Sequence, residues 1–82
     1  MTGDELREVV MTAISRVAPE AGAQALDTSA ALRDQLDLDS MDFLRFIVAL
    51  HERLGVEIPE ADYGQLSSLD AVVAYLQSKV AA

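Results

Sequence analysis

Apolar residues recur every three or four positions in three stretches of this 82-residue chain, which is the period of an α-helix. The first stretch carries Leu6, Val9, Val10, Ala13, Ile14 and Val17. The last carries Leu69, Val72, Val73, Leu76 and Val80, and the middle one runs from about Ser40 to Leu54. Each stripe must be covered by another apolar surface, so the spacing predicts helices packed on one another.

Residue types at the ends of these stretches predict where the helices begin and end. Thr2 and Glu5 have the spacing of a capping box, and Pro19 stops the first helix near Ala18. Gly55 is typical of the left-handed residue that ends a helix. Ser67 is expected to cap the last helix, with Asp70 completing a second capping box.

The segments between the helices carry weaker patterns. Residues 19–22 predict a turn, and "PEADYGQL" predicts a short helical turn that starts at Pro59. Asp27, Thr28 or Ser29 is expected to cap another short helical turn. The anchors of this second turn would be Leu26, Leu32 and Leu36.

Together these features predict one all-α domain over residues 1–82, a small bundle of three long helices and one short helix with a long first loop. Only 5% of the residues are aromatic, so the core is expected to be aliphatic. We expect the domain to be a monomer.

The charge of the chain limits its partners. A net charge of −8 argues against nucleic acid and anionic membranes, and it favours proteins with basic patches. No apolar run approaches the ~20 residues of a membrane span, and the acidic start is unlike a signal sequence, so a cytoplasmic protein is expected. The chain has no cysteine, and therefore no thiol of its own.

The middle helix has apolar residues on two faces. Phe43, Ile47, Leu50 and Leu54 form the stripe expected in the core, with Phe46 on its flank. Met41 and Val48 lie on the opposite side, with Leu44 between the two. Isolated exposed apolar residues are common, so two interpretations stay open: an unremarkable surface, or a patch for a protein partner.

Ser40 stands where the middle helix begins, and it has two possible roles. It could cap the helix, as serine often does. Alternatively, Asp39 could be the cap with Asp42 three residues later, which would leave the Ser40 hydroxyl exposed at the first helical position. A phosphate attached there would be stabilised by the positive end of the helix.

Other chemistry is disfavoured by the sequence. "DLDSMD" does not match a calcium-binding EF-hand loop, because Met41 and Val48 fall where oxygen ligands are needed. His51 is the only histidine and lies about three helical turns from Ser40, so no catalytic pair can be formed. We therefore expect neither catalytic residues nor a metal site.

The segment "LDLDSMDFLRFIVALHERLGVEIPE" resembles the acyl carrier proteins, which carry an Asp-Ser-Leu-Asp/Glu motif at the start of their second helix. Here the motif is Asp39-Ser40-Met41-Asp42. "RVAPE", "LGVEIPEAD" and "SSLDAVVAYL" resemble further parts of the family, so the likeness covers nearly the whole chain.

The resemblance implies that Ser40 is covalently modified with 4′-phosphopantetheine, which a phosphopantetheinyl transferase takes from coenzyme A. The arm ends in a thiol and carries acyl groups as thioesters, so the chain would be a carrier and not an enzyme. Its other partners would be acyl-loading and acyl-consuming enzymes with basic or apolar docking patches.

Two further sets of residues follow from the resemblance. The expected partner-recognition residues are Asp39, Met41, Asp42, Leu44, Arg45, Val48 and Asp62. The expected lining of a pocket for the acyl chain is Phe46, Ile47, Leu50, Leu66 and Leu69.

The chain departs from the family pattern at two places. Asp37 stands where the family commonly has glycine, and aspartate tolerates turn geometry better than most residues. The second helix carries Arg45, His51 and Arg53, where fatty-acid-synthesis members usually have several glutamates. This favours a specialised fatty-acid, lipid or polyketide pathway. The alternatives are a peptidyl or aminoacyl carrier, and an acidic helical adaptor without a prosthetic group.

Overall fold

The computed structural model of the protein describes residues 2–19 and 26–80, and these fold as helices joined by irregular connections. The long helices are α1 (Gly3–Val17), α3 (Ser40–Leu54) and α4 (Leu69–Val80). The connections carry a short helix, α2 (Leu32–Gln35), and a 3₁₀ helix (Glu60–Gln65). The predicted all-α architecture is confirmed.

The predicted ends of the long helices hold with one exception. Thr2 and Glu5 form a reciprocal capping box, and α1 ends at Val17. Gly55 is left-handed, with a φ of 67°, at the end of α3. The turn predicted for residues 19–22 lies largely outside the described residues.

The exception is the cap of α4. The side-chain oxygen of Ser68, and not that of Ser67, accepts the backbone N–H of Ala71 at 3.1 Å. The carbonyl of Ser67 instead accepts the N–H of Leu32 at 2.7 Å, which ties this segment to α2. The helix therefore begins one residue later than its sequence predicts.

The start of α2 also differs from its prediction. The Asp27 carboxylate accepts hydrogen bonds from the backbone N–H of Ser29 at 3.0 Å and from the Ser29 hydroxyl at 2.8 Å, which closes a turn before the helix. These bonds lower the pKa of Asp27. Ala31 occupies the cap position of α2 without a side-chain bond. Asp27, Thr28 and Ser29 are thus turn residues and do not cap α2.

One aliphatic core joins the elements. α1 packs against both α3 and α4. Phe46 and Leu50 of α3 are fully buried, and so are Leu32 at the start of α2 and Leu66 after the 3₁₀ helix. Phe46 therefore belongs to the core and not to its flank, in one buried cluster with Leu32 and Leu66 of the connections. Leu54, which the sequence places in the core stripe, is only partly buried.

None of the helices within residues 2–19 and 26–80 has the length and hydrophobicity needed to cross a lipid bilayer.

Candidate functional site

The candidate site is the first turn of α3, where the cap and the candidate nucleophile are separate residues. The Asp39 carboxylate accepts the backbone N–H of Asp42 at 2.8 Å, which is the hydrogen bond of an N-cap. Ser40 is the first helical residue, and its side chain is exposed. Asp39 therefore caps α3, and Ser40 does not.

A cation lies next to the Ser40 hydroxyl. An Nη atom of Arg33, in α2, lies 3.4 Å from Ser40 Oγ and donates a hydrogen bond to it. The same guanidinium lies over the ring of Phe43, 5.6 Å from the ring centroid. This contact of Arg33 is not predicted by the sequence, because helical periodicity says nothing about contacts made from a short connection.

An open groove of about 680 Å³ lies between α2, the start of α3 and the 3₁₀ helix. Its walls include Arg33, Leu38, Phe43 and Tyr63. The aromatic rings of Phe43 and Tyr63 meet edge to face, with centroids 6.1 Å apart. Because Arg33 contacts both Ser40 and a wall of this groove, the groove begins beside the exposed hydroxyl.

The short connection from α2 to α3 makes a tight turn. Asp37 adopts a left-handed conformation with a φ of 53°, which glycine adopts most readily and aspartate tolerates better than most residues. The N–H of Leu38 donates to the carbonyl of Arg33 at 3.0 Å, which closes the turn. The buried Leu38 side chain helps to anchor it.

The predicted second apolar face of α3 is exposed. Met41 is 60% exposed, Leu44 41% and Val48 44%. These three residues, together with Val17 and Arg16 at the end of α1, line a shallow concavity of about 350 Å³. We call Met41, Leu44 and Val48 the apolar patch.

The remaining predicted recognition residues are charged. Arg45 lies 3.9 Å from the Asp42 carboxylate, a solvent-exposed ion pair that contributes little stability. Asp62 lies on a different element, the 3₁₀ helix, where it accepts a hydrogen bond from the Tyr75 hydroxyl at 2.7 Å. Burial of Tyr75, helped by this bond and by the negative charge of Asp62, raises the pKa of Tyr75 to about 12.

The five predicted pocket residues all lie in the core. Phe46, Leu50 and Leu66 are fully buried, while Leu69 is 2% and Ile47 3% exposed. They come from α3, α4 and the segment that follows the 3₁₀ helix. The structure thus brings them together in one apolar cluster.

His51 has a local structural contact. Its Nδ1 atom lies 2.7 Å from the carbonyl oxygen of Val56, just past the end of α3. Along a helix, eleven residues separate it from Ser40 by ~16 Å. Within residues 2–19 and 26–80, no three histidine or acidic side chains are grouped as a metal site would require.

Comparisons with known proteins give a consistent result. The model of a protein family described as a phosphopantetheine attachment site matches residues 7–76. An acyl carrier protein of Campylobacter hominis is 33% identical over 75 residues, 92% of this chain and 89% of the relative. Those of Campylobacter fetus subsp. fetus and Campylobacter jejuni are 34% identical over 73 residues and 31% identical over 77 residues. The match to the Campylobacter fetus protein covers 89% of this chain and 88% of the relative, and the match to the Campylobacter jejuni protein covers 94% of each.

Proposed function

The chain belongs to the acyl carrier protein family, and we propose that Ser40 is the residue that carries its covalently attached 4′-phosphopantetheine group. We also propose that residues 1–82 form a single carrier domain. The observation that carries the assignment of Ser40 is the hydrogen bond from the Asp42 N–H to the Asp39 carboxylate, because it leaves the exposed serine hydroxyl free of the capping role at the helix start.

The surroundings of Ser40 fit the group. The exposed hydroxyl can be approached by a transferase, and the positive end of α3 favours a phosphate attached there. The adjoining groove is open and has aromatic and aliphatic walls beside a cation, which suits an arm that is apolar along much of its length and bears a phosphate at one end. When bound, the group supplies the thiol that this cysteine-free chain lacks.

The attachment reaction we propose is a phosphoryl transfer. The Ser40 oxygen attacks the phosphorus next to the pantetheine of coenzyme A, and the pyrophosphate bond breaks. The hydroxyl proton passes to a base on the transferase, and adenosine 3′,5′-bisphosphate leaves. The chain contributes the oxygen nucleophile and its fixed position, while the transferase catalyses the step.

A member of this family is a carrier and generally not a catalyst. Tethering an intermediate to the protein raises its effective concentration at the enzymes that dock on the carrier. We propose that these partners are a phosphopantetheinyl transferase and acyl-loading and acyl-consuming enzymes, which the protein meets as a monomer in the cytoplasm. They would contact the apolar patch, with the charges of Asp39, Asp42 and Arg45 setting orientation.

The surface of α3 supports a specialised pathway. Arg45, His51 and Arg53 are exposed on this helix alongside Asp42 and Glu52, so the helix presents both signs of charge. Partners with a uniformly basic docking patch would meet repulsion from these cations. We infer a dedicated fatty-acid, lipid or polyketide carrier, with a peptidyl carrier as the second candidate.

The buried cluster of Phe46, Ile47, Leu50, Leu66 and Leu69 supports sequestration of an acyl chain inside the bundle. Its members belong to elements that could separate slightly to admit a chain, and every surface they would offer is apolar. A carried acyl group would gain the free energy of leaving water, about 0.8 kcal/mol for each buried methylene.

The attachment site is tested by intact-protein mass spectrometry after coexpression with a broad-specificity phosphopantetheinyl transferase. We expect the mass to rise by one phosphopantetheine group in the wild type and not in Ser40→Ala. Ser67→Ala is the matched control, because Ser67 is another exposed serine and lines the groove that adjoins Ser40. An equal mass increase in Ser40→Ala would exclude Ser40 as the site.

The two pathway candidates are separated by the natural cargo. Protein isolated from its own cells is treated with hydroxylamine, which cleaves thioesters, and the released compound is identified by mass spectrometry. An acyl hydroxamate would support the lipid or polyketide assignment, whereas an aminoacyl hydroxamate would support a peptidyl carrier.

A further inference from the structure

We propose that Arg33 binds the phosphate of the arm on Ser40 and directs the arm into the groove between α2 and the 3₁₀ helix. This inference rests on the proposed attachment at Ser40. Arg33 lies outside the Asp-Ser-Met-Asp motif, so the contact is an additional feature of this chain.

The geometry places the guanidinium at the right distance. Its Nη atom already lies 3.4 Å from Ser40 Oγ. The outer oxygens of a phosphate esterified to Ser40 lie two P–O bonds from Oγ, where the donors of Arg33 can reach them. Arginine is well suited to this contact, because its planar fork of N–H groups can bind two phosphate oxygens at once.

The side chain of Arg33 is supported by its neighbours. Its guanidinium stacks over Phe43, which is 8% exposed and is held by the rings of Tyr63 and Phe46. The backbone of α2 is tied down by the buried Leu32. A guanidinium fixed in this way loses less conformational entropy on binding a phosphate than a freely rotating one.

The charges near Ser40 favour a cation beside an attached phosphate. Asp39 and Asp42 flank the serine in sequence, and Asp34 and Asp37 line the groove beside it. A phosphodiester adds another negative charge to this acidic region. Arg33 has no carboxylate within 4.0 Å in the described part of the chain, so its charge is available to offset that repulsion.

The position of Arg33 also gives the arm a direction. Arg33 lies on the α2 side of Ser40 and forms part of the groove wall, whereas the apolar patch belongs to α3 and adjoins α1. A phosphate held by Arg33 would start the arm along the groove and leave the apolar patch free for a docked enzyme.

The test is ³¹P NMR of the modified protein, in which the phosphodiester gives a single resonance. The samples are wild type, Arg33→Gln, Arg33→Lys and Arg53→Gln, each first shown by mass spectrometry to carry the group and by circular dichroism to be folded. Arg53→Gln is the matched control, since it removes an equal charge ~20 Å along α3 from Ser40. Modified wild type unfolded in urea gives the resonance of a phosphate without the Arg33 contact.

We expect wild type and Arg53→Gln to share one chemical shift. The ³¹P chemical shift of Arg33→Gln should move towards that of the unfolded protein. The shift of Arg33→Lys should lie between those of wild type and Arg33→Gln. A second measurement uses only wild type and so does not depend on whether a variant folds. In ¹⁵N-labelled wild type, the Nε–Hε signal of Arg33 should shift on modification. Unchanged signals in both experiments would overturn the role of Arg33 and leave attachment at Ser40 intact. Failure of wild type to gain mass would overturn both proposals.

Discussion

Asp39 and Asp42 are joined across the first turn of α3 by a 2.8 Å hydrogen bond from the Asp42 backbone N–H to the Asp39 carboxylate. This bond assigns helix capping to Asp39 and separates it from the chemistry proposed for Ser40. Substitutions of Asp39 and of Ser40 are therefore expected to have different consequences.

Replacing the cap should cost stability, and replacing the serine should not. Asp39→Ala is expected to lower the free energy of unfolding by about 1 kcal/mol, because it leaves an N–H at the helix start without its partner. Ser40→Ala should change that free energy by only about 0.5 kcal/mol, as is usual for an exposed side chain. Urea unfolding followed by circular dichroism measures both. A larger loss in Ser40→Ala than in Asp39→Ala would show that the serine is structural.

The left-handed backbone at Asp37 makes a second prediction. Asp37→Ala should lower the free energy of unfolding by about 1 kcal/mol, since a β-carbon without a compensating polar group is strained at positive φ. Asp37→Gly relieves the strain and is expected to leave stability unchanged or raised by a few tenths of a kcal/mol, roughly. Thermal unfolding of the two variants side by side decides the point. Equal destabilisation by alanine and glycine would indicate that the Asp37 side chain itself is needed.

The apolar patch is predicted to be used by the transferase. Met41→Glu and Val48→Glu should each slow phosphopantetheinylation about tenfold, equivalent to ~1.4 kcal/mol, because a charge must then be buried at the docked surface. The rate is followed by mass spectrometry at limiting transferase concentration. Ala74→Glu places the same charge on an exposed position of α4 and serves as the control. Wild-type rates in both patch variants, with unchanged circular dichroism, would remove this face from the transferase interface.

The burial of Tyr75, together with its hydrogen bond to Asp62, predicts a loss of stability at alkaline pH. The pKa of Tyr75 is raised from 10.0 to about 12 in the folded protein, so the folded state holds the phenol proton more tightly than the unfolded state does. The resulting stabilisation is complete below pH 10 and is lost as the pH rises from about 10 to about 12. The difference in unfolding free energy between wild type and Tyr75→Phe should therefore shrink across this range.

Tyr75→Phe is a suitable comparison because it keeps the ring that packs against Lys79, whose Nζ lies 5.5 Å from the ring centroid. If the stability difference stayed constant from pH 8 to pH 12, the phenol would not be the titrating group.

Local patterns were sufficient to predict the long helices, and they reduced the cap at the start of α3 to two candidates, Asp39 and Ser40. The capping box of Thr2 and Glu5, the left-handed Gly55 and the cap at Asp39 each depend on residues a few positions apart. A cap is a short-range hydrogen bond, so its residues are adjacent in the sequence as well as in space.

Features that depend on tertiary contacts were not predicted. Ser68 caps α4, while the N–H of Asp70, which a Ser67 cap would bind, is bonded to the carbonyl of Thr28, a residue far away in the sequence. Phe46 is fully buried in a cluster that includes Leu32 and Leu66, which belong to segments outside the long helices. Arg33 meets Ser40 through a turn whose geometry depends on a left-handed aspartate, and no periodic pattern records such a meeting.

The central claim is that the Ser40 oxygen bears the arm, and the most direct measurement is tandem mass spectrometry of protein purified from the cells that naturally produce it. Proteolytic peptides are fragmented, and the residue that retains the added mass is identified. We expect 4′-phosphopantetheine on the peptide that contains Ser40, with the fragment series placing it on that serine. Its presence on another residue, or a wholly unmodified Ser40 peptide, would contradict the account.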